Sequence, residues 1–548
     1  MGFLVQILLA AGALSMAEAG LGSGGWPAEL GILLLPLPHL VSLAARRAGE
    51  AGRFRRAARW IRLGSLLPPL AYAALVLQTD WLARVRSWTG AGLDLDGWPE
   101  LALGLAFAPY VLYQLSGIHA DARAHDPRPD IRKRVLRFQV RMFLSALMPL
   151  VLYLVLTVGV GLVPGWRAHV ENVGLFHALF IAGLMVVLGL SLPMLLANTW
   201  ETYRLPDGPQ RVVLDAVAQR ARFRPREVRV WRTGNLMANA AILGMGDRYR
   251  VVLFSDSLLS ILGPGELAAV YAHEIGHAKR RHVAVFVAWA LAFLLLGDLA
   301  SQELAPGNPW ASGAILAGFM GAWALGFGWL SRRCELEADL YGVELLGDPG
   351  SMASALERVG GRLRDVAGWR HFSTRDRIEF LWRAWREPRF AGRFRTRLRR
   401  LAWLGSCLCL LGVGLQARTL LRSLPGELVL AEIAQGRWDR ALERTVRLED
   451  SDEQWRELVE LGAARQGELE SLGERELIEA LEVELSTLVD LQRSYETSLL
   501  LAVLSPQLEP VARALGSAVD GDEASLQAAL EDCPPRWSAL LARRLEQP

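Results

Sequence analysis

Long apolar blocks alternate with short, arginine-rich connectors over the first three quarters of the chain. A bilayer crossing takes about 17–25 mostly apolar residues. On that measure nine spans are predicted, at 3–19, 29–45, 63–79, 99–118, 142–163, 173–199, 283–303, 311–330 and 401–417. Met142–Pro164 and Val173–Ala197 carry no formal charge, whereas the first block is short and closes with Glu18.

A less apolar stretch separates the sixth and seventh spans. Glu227–Trp231 alternates as a strand does, and Ala240–Leu243 and Arg248–Phe254 flank Gly246-Asp247 in the manner of a hairpin. Gly263-Pro264-Gly265 then opens a helical pattern over Glu266–His282, with Pro264 suited to the first turn. This helix is expected to run almost directly into the seventh span. After residue 425, Leu, Ala and Glu recur at helical spacing.

Charge orients the spans. Connectors 46–62 and 119–141 hold seven basic residues each and segment 331–400 holds sixteen, while the alternate connectors hold two at most. Basic connectors stay on the cytoplasmic side, so 200–282 and 331–400 are expected to share that side, with the chain start inside and 425–548 outside. The net charge of +3 conceals +17 over 1–424 and −14 over 425–548, two balances that imply two environments. With 52% hydrophobic residues the chain cannot be disordered, and four cysteines in 548 residues exclude a disulfide scaffold. The arginine run 389–400 directly precedes a span, so it reads as a topology signal and an anionic-lipid contact, not as a nucleic-acid site.

The chemistry concentrates in His273-Glu274-Ile275-Gly276-His277. Four residues turn a helix by about 400°, so the two histidines stand on one face and both can bind one zinc ion. Glu274 projects about 100° round, beside the ion, where a general base for water belongs. A catalytic zinc takes a third protein ligand. Glu335-Leu336-Glu337-Ala338-Asp339 follows the eighth span at once. Glu335 is the candidate ligand, with Asp339 four residues on as the carboxylate that orients a histidine. Glu337 faces elsewhere, and His282, beside Lys279-Arg280-Arg281, reads as an interfacial residue.

Here the chain resembles the M48 zinc metallopeptidases, the HtpX, Ste24 and Oma1 group. Their core is HExxH, two spans, then a Ser-Arg-x-x-Glu-x-x-Ala-Asp element. This chain has Ser331-Arg332-Arg333-Cys334-Glu335-Leu336-Glu337-Ala338-Asp339, and Asn239-Ala240-Ala241-Ile242-Leu243-Gly244 matches the family's Asn-Ala-x-x-x-Gly strand. His371 and Arg377 keep the spacing of the family's His-Pro…Arg element, with Phe372 in place of Pro. The resemblance covers about 205–385. It implies zinc on His273, His277 and Glu335, Glu274 as base, Asn239 on an edge strand that takes an extended peptide, His371 as a catalytic oxyanion stabiliser, and Arg377 as a substrate-binding or positioning residue.

The expected molecule is mainly α: a polytopic helical membrane protein with a gluzincin-like zinc protease domain containing a small β-sheet, plus a C-terminal helical soluble domain. Its expected parts are an N-terminal membrane region (1–200), a catalytic region with the HExxH helix (201–282), a two-span hairpin (283–330), the second catalytic half (331–400), a last span (401–421) and an acidic helical domain (422–548). One zinc per chain, protein or peptide substrates and the lipid bilayer are the expected partners, in a bacterial inner membrane. The expected function is a zinc endopeptidase acting on membrane-associated or misfolded proteins. Alternatives are a sensor-transducer protease of BlaR1 type, with 425–548 as sensor, or a Ste24-like processing protease.

Overall fold

The computed structural model describes residues 3–18, 24–89, 99–125, 129–163, 173–244, 249–305, 309–361, 372–433, 437–445 and 508–520, with single positions elsewhere. The chain is mainly helical. In order come α1 (Phe3–Glu18), α2 (Leu37–Glu50), α3 (Phe54–Gly64), α4 (Leu67–Gln78), α5 (Trp81–Thr89), α6 (Pro99–His125), α7 (Pro129–Gly161) and α8 (Gly174–Thr199). The strands β1 (Thr202–Arg204), β2 (Glu227–Trp231), β3 (Ala240–Leu243) and β4 (Val251–Ser255) follow, with α9 (Pro209–Arg220) between the first two. Then come α10 (Asp256–Ile261), α11 (Pro264–Lys279), α12 (His282–Leu304), α13 (Pro309–Leu346), α14 (Pro349–Gly360), α15 (Thr374–Arg386) and α16 (Pro388–Ile433).

Among the described residues, eight stretches are long and apolar enough to cross a bilayer: Ala28–Glu50, Arg59–Gln78, Leu101–Arg123, Asp130–Val160, Gly174–Ser191, His282–Leu304, Ala311–Leu346 and Pro388–Val429. The expected first span is not among them. Its helix α1 has 16 residues, with Val5–Ala17 as its apolar part, about 20 Å at 1.5 Å per residue and short of a 30 Å hydrocarbon core. Several helices also outrun the spans that the hydropathy pattern delimits. Helix α13 continues unbroken from the eighth span through residue 346, and α16 is a single helix of 46 residues. Neither the 331–346 segment nor the 388–400 segment holds a proline or glycine after its first residues to break it, apart from Gly342 and Gly392; these two cost about 1 kcal/mol each and are tolerated.

The chain divides into two compact units. One comprises 1–132, 146–184 and 420–548. Within it, α4 and α6 are tied by the Tyr72 hydroxyl donating to the Ala106 carbonyl at 2.9 Å, and Tyr113 donates to the Gly31 carbonyl at 2.9 Å. The His39 and His119 rings meet edge to face at 5.2 Å.

The other unit, 133–145 and 185–419, contains the sheet. Strand order is β1-β2-β4-β3: β1 pairs antiparallel with β2, β2 parallel with β4, and β3 antiparallel with β4, with Ala240 opposite Phe254 and Leu243 opposite Val251. The β3–β4 pair is the hairpin expected from sequence; the three-residue β1 is too short to register as a pattern. β4 is buried at all five positions. Leu214 and Val217 of α9, Val228 and Val230 of β2, Val252 and Phe254 of β4, and Leu267, Tyr271, Ala272 and Ile275 of α11 form one core. That core fixes the orientation of α11 and therefore of the side chains on its opposite face.

Candidate metal centre

Helix α11 begins where the sequence puts it. Pro264 occupies its first turn, and the Gly263 N–H donates to Glu266 Oε2 at 2.8 Å, which satisfies one of the free amides at the helix start. Its far face meets α13 at unusually close range. A Cβ built on Gly276 would lie 3.1 Å from both Cα and the carbonyl oxygen of Ala338, and one on Gly342 would lie 3.3 Å from the His273 nitrogen. The two glycines let the helix backbones approach, and Glu335 and Asp339 thereby reach the histidines.

The Nε2 atoms of His273 and His277 stand 3.2 Å apart. Glu335 places Oε2 3.7 Å from His273 Nε2 and Oε1 3.6 Å from His277 Nε2. One donor atom from each of the three residues lies within 4.8 Å of the others. Ligands about 2.0–2.1 Å from a shared tetrahedral ion are separated by roughly 3.3–3.5 Å, so the spacing suits a zinc-sized ion. Two imidazoles and one carboxylate with a fourth position open is also the donor set of a catalytic zinc site.

Each histidine is held from behind. Asp339, fully buried, places Oδ1 2.8 Å from His273 Nδ1. Arg377 grips the same carboxylate from the other side, Nε to Oδ2 at 2.8 Å and Nη2 to Oδ1 at 2.7 Å. Burial would raise the Asp339 pKa, but the Arg377 guanidinium and His273 outweigh it and hold the group below the ordinary carboxylate range. An ionised Asp339 accepts the Nδ1 proton of His273 and leaves Nε2 as the lone-pair donor.

His277 is supported by a second pair. Its Nδ1 lies 2.9 Å from Nδ1 of His282, whose Nε2 lies 2.9 Å from Glu337 Oε2. Only one arrangement of protons satisfies both contacts with neutral rings: His282 donates from Nε2 to the carboxylate and accepts at Nδ1 from His277, whose Nε2 is then free to bind metal. The backbone makes this possible. Helix α11 stops at Lys279, Arg281 takes a left-handed conformation (φ 55°, ψ 37°), and α12 starts afresh at His282. A left-handed non-glycine residue costs roughly 1–2 kcal/mol, and here it turns His282 back under His277. The continuous helix expected through His282 is therefore corrected to two helices with a sharp turn, and His282 is a buried partner of His277, not an interfacial residue.

The electrostatics agree with a cation site. Burial, with His273 next to it, pushes His277 down to about 3, so it is the neutral base that a metal requires. Burial pulls His273 down, yet Asp339 and Glu335 outweigh it and raise its pKa, a sign of a field that favours positive charge. Glu274 is pushed up to about 7 by burial, opposed by His273 and Arg377 and reinforced by Glu335.

Of the remaining sequence candidates, Asn239 lies just before β3 with its side chain exposed. Its N–H donates to Ser255 Oγ and its carbonyl accepts the Ser255 N–H, both at 2.9 Å. β3 is an edge of the sheet: among the described residues no strand pairs with its outer side. Arg377, grouped with substrate at the sequence level, sits on Asp339 and is largely buried. His371 lies outside the described residues. Glu337, expected to face elsewhere, and His282, expected at the interface, instead stand behind His277; the hint in the sequence is a histidine five residues beyond the motif, in a run of basic residues.

Comparison with known proteins places this geometry in context. Residues 209–385 match the model for Peptidase family M48. A protease HtpX homolog of Burkholderia thailandensis is 29% identical over 140 residues, 24% of this chain and 49% of the relative. Protease HtpX homolog 2 of Methanosarcina mazei is 30% identical over 141 residues, 24% of this chain and 48% of the relative. The chain thus spans about half the length of the curated relatives it matches. The crystal structure of S. mikatae Ste24p aligns at 15% identity and a TM-score of 0.45, covering 65% of this chain and 97% of that one. Over residues 209–385, which hold His273, His277 and Glu335, this chain is similar to the peptidases of family M48.

Proposed function

We propose that the chain is an integral membrane zinc endopeptidase that cleaves membrane-associated or misfolded proteins, with its site on the cytoplasmic side. The observation that carries this reading is the meeting of His273, His277 and Glu335, each with a donor atom within 4.8 Å of the others. His273, His277 and Glu335 would hold the zinc. Zinc in such a site acts as a Lewis acid that acidifies water and polarises a carbonyl.

The chain's own groups do the rest. Asp339 with Arg377, and His282 with Glu337, keep the two imidazoles in the tautomer that presents Nε2. Glu274, adjacent to His273 and raised towards neutrality by burial, takes the proton of the attacking water and delivers it to the leaving amine. The outer edge of β3 offers backbone N–H and C=O groups to an extended substrate, which would lie as a further strand along the sheet. A cytoplasmic site is supported by sixteen basic residues in 331–400, the segment that holds Glu335.

The test is cleavage of an unfolded membrane protein in detergent by the purified parent and by Glu274→Gln. The variant should retain zinc and lose at least about a hundredfold in rate, the scale of a general-base contribution. Equal rates in the two proteins would refute the assignment.

A further inference from the structure

Beside the candidate metal centre, α13, α15 and α16 border an open cavity of about 710 Å³ in the sheet-containing unit. Five arginines line it and no Asp or Glu does: Arg333 from α13, Arg383 from α15, and Arg393, Arg397 and Arg400 from α16. Along α16 the last three stand at i, i+4 and i+7, one helical stripe. The stripe continues without a break into Leu401 and Leu404, which also line the cavity. On α13 the change occurs in the opposite chain direction, from Trp329 to Arg333, one turn apart, with the Arg333 guanidinium 3.5 Å from the Trp329 ring centre. Leu336, Phe372, Phe390, Phe394 and Leu398 are interspersed among the arginines, and on α16 the lining is wholly apolar after Arg400. Beyond Arg400, α16 presents Trp403, Leu404 and Leu410 to the outside, at 67%, 49% and 71% exposure.

We propose that this cavity is a binding site for one anionic phospholipid, its phosphate among Arg393, Arg397 and Arg400 and its acyl chains against Trp329, Leu401 and Leu404. Charge complementarity selects an anion, and the apolar side chains beside and beyond the arginines select an amphiphile. From Arg393 to Leu404 the lining runs about 16 Å along the helix, deep enough for a headgroup and the first part of the chains, whereas inorganic phosphate would leave most of it empty. An acidic protein segment would satisfy the arginines but would have to set backbone against Leu401 and Leu404 at the depth of the hydrocarbon, where its N–H and C=O groups find no hydrogen-bond partner. Leu336, beside Glu335, forms part of the wall, so the lipid would lie one residue from the metal centre.

The test is native mass spectrometry of the full chain in neutral detergent, titrated with dioleoyl phosphatidylglycerol or phosphatidylcholine. The parent should retain one phosphatidylglycerol. The triple variant Arg393→Gln, Arg397→Gln, Arg400→Gln should bind it on the order of a hundredfold more weakly, as expected for three interfacial charges, and the corresponding triple Lys variant should recover most of the affinity. Equal zinc content in all three proteins shows that each is folded. Four results would overturn the proposal: undiminished binding by the Gln variant, equal retention of phosphatidylcholine, displacement of the lipid by inorganic phosphate, or displacement by an acidic peptide.

Discussion

His282 Nδ1 lies 2.9 Å from His277 Nδ1 across a left-handed turn at Arg281. The contact joins the first residue of one helix to the metal-facing residue of the helix before it. With Glu337 behind His282, and Asp339 and Arg377 behind His273, each imidazole is backed by a carboxylate, one directly and one through a second ring.

Removing the relay should therefore weaken metal binding without unfolding the protein. His282→Ala is expected to lower zinc affinity about 10–100-fold, the range for the loss of a group that orients a ligand. His282→Asn, whose Oδ1 can stand where Nδ1 did, should restore part of it. Competitive zinc titration against a chelator reads both. Unchanged affinity in His282→Ala would reduce the contact to packing.

The close helix approach makes a second prediction. Gly276→Ala sets a methyl 3.1 Å from the Ala338 backbone, so α11 and α13 must separate by a few tenths of an ångström. Overpacking of this kind costs about 1–3 kcal/mol, and here it also draws Glu335 away from the histidines. Thermal melting and zinc affinity should fall together. A substitution with normal zinc affinity would show that the crossing has slack.

Glu274 sets a pH dependence of the metal-free protein. Its folded pKa of about 7 exceeds the ordinary value of 4.5, so between those values the folded state binds the extra proton. Stability is thus fully present below the lower value and is lost as pH rises through the higher. Metal-free Glu274→Gln should melt above the metal-free parent at pH 8, by up to roughly 3 kcal/mol in stability, and the gap should close by pH 5. A gap that is the same at both pH values would contradict a buried, destabilised carboxylate.

Asp339 has the opposite sign. Its folded pKa is depressed from 3.8, so its contribution is present above that value and is lost as pH falls through the folded pKa. Asp339→Asn takes from the buried Arg377 its hydrogen-bonded carboxylate, leaving Glu335 at 3.7 Å, and should cost up to about 3–5 kcal/mol near neutrality. The parent's stability should fall towards the variant's in acid. Parallel melting curves for the two proteins down to the lowest accessible pH would rule out this role.

The candidate metal-binding group is legible in the sequence because its spacing is periodic. His273 and His277 share a helix face by their spacing, and so do Glu335 and Asp339, and a sequence displays spacing directly. The support for His277 was not readable, because it depends on one left-handed residue, Arg281, which no periodicity marks. Arg377 was visible as a spaced residue, but its partner Asp339 belongs to a different helix, and only the fold brings them together. Among the described residues, eight of the nine expected spans fall on helices long and apolar enough to cross a bilayer, and the first falls on the 16-residue α1. Hydropathy cut α13 and α16 short, since the helices continue after their apolar stretches end.

The central claim is a single zinc ion on His273, His277 and Glu335, and zinc stoichiometry of the detergent-purified full chain tests it most directly. The parent and Glu274→Gln should each carry one zinc per chain, while His273→Ala and Glu335→Ala should lose nearly all of it. Full zinc in the His273→Ala and Glu335→Ala proteins would contradict the account.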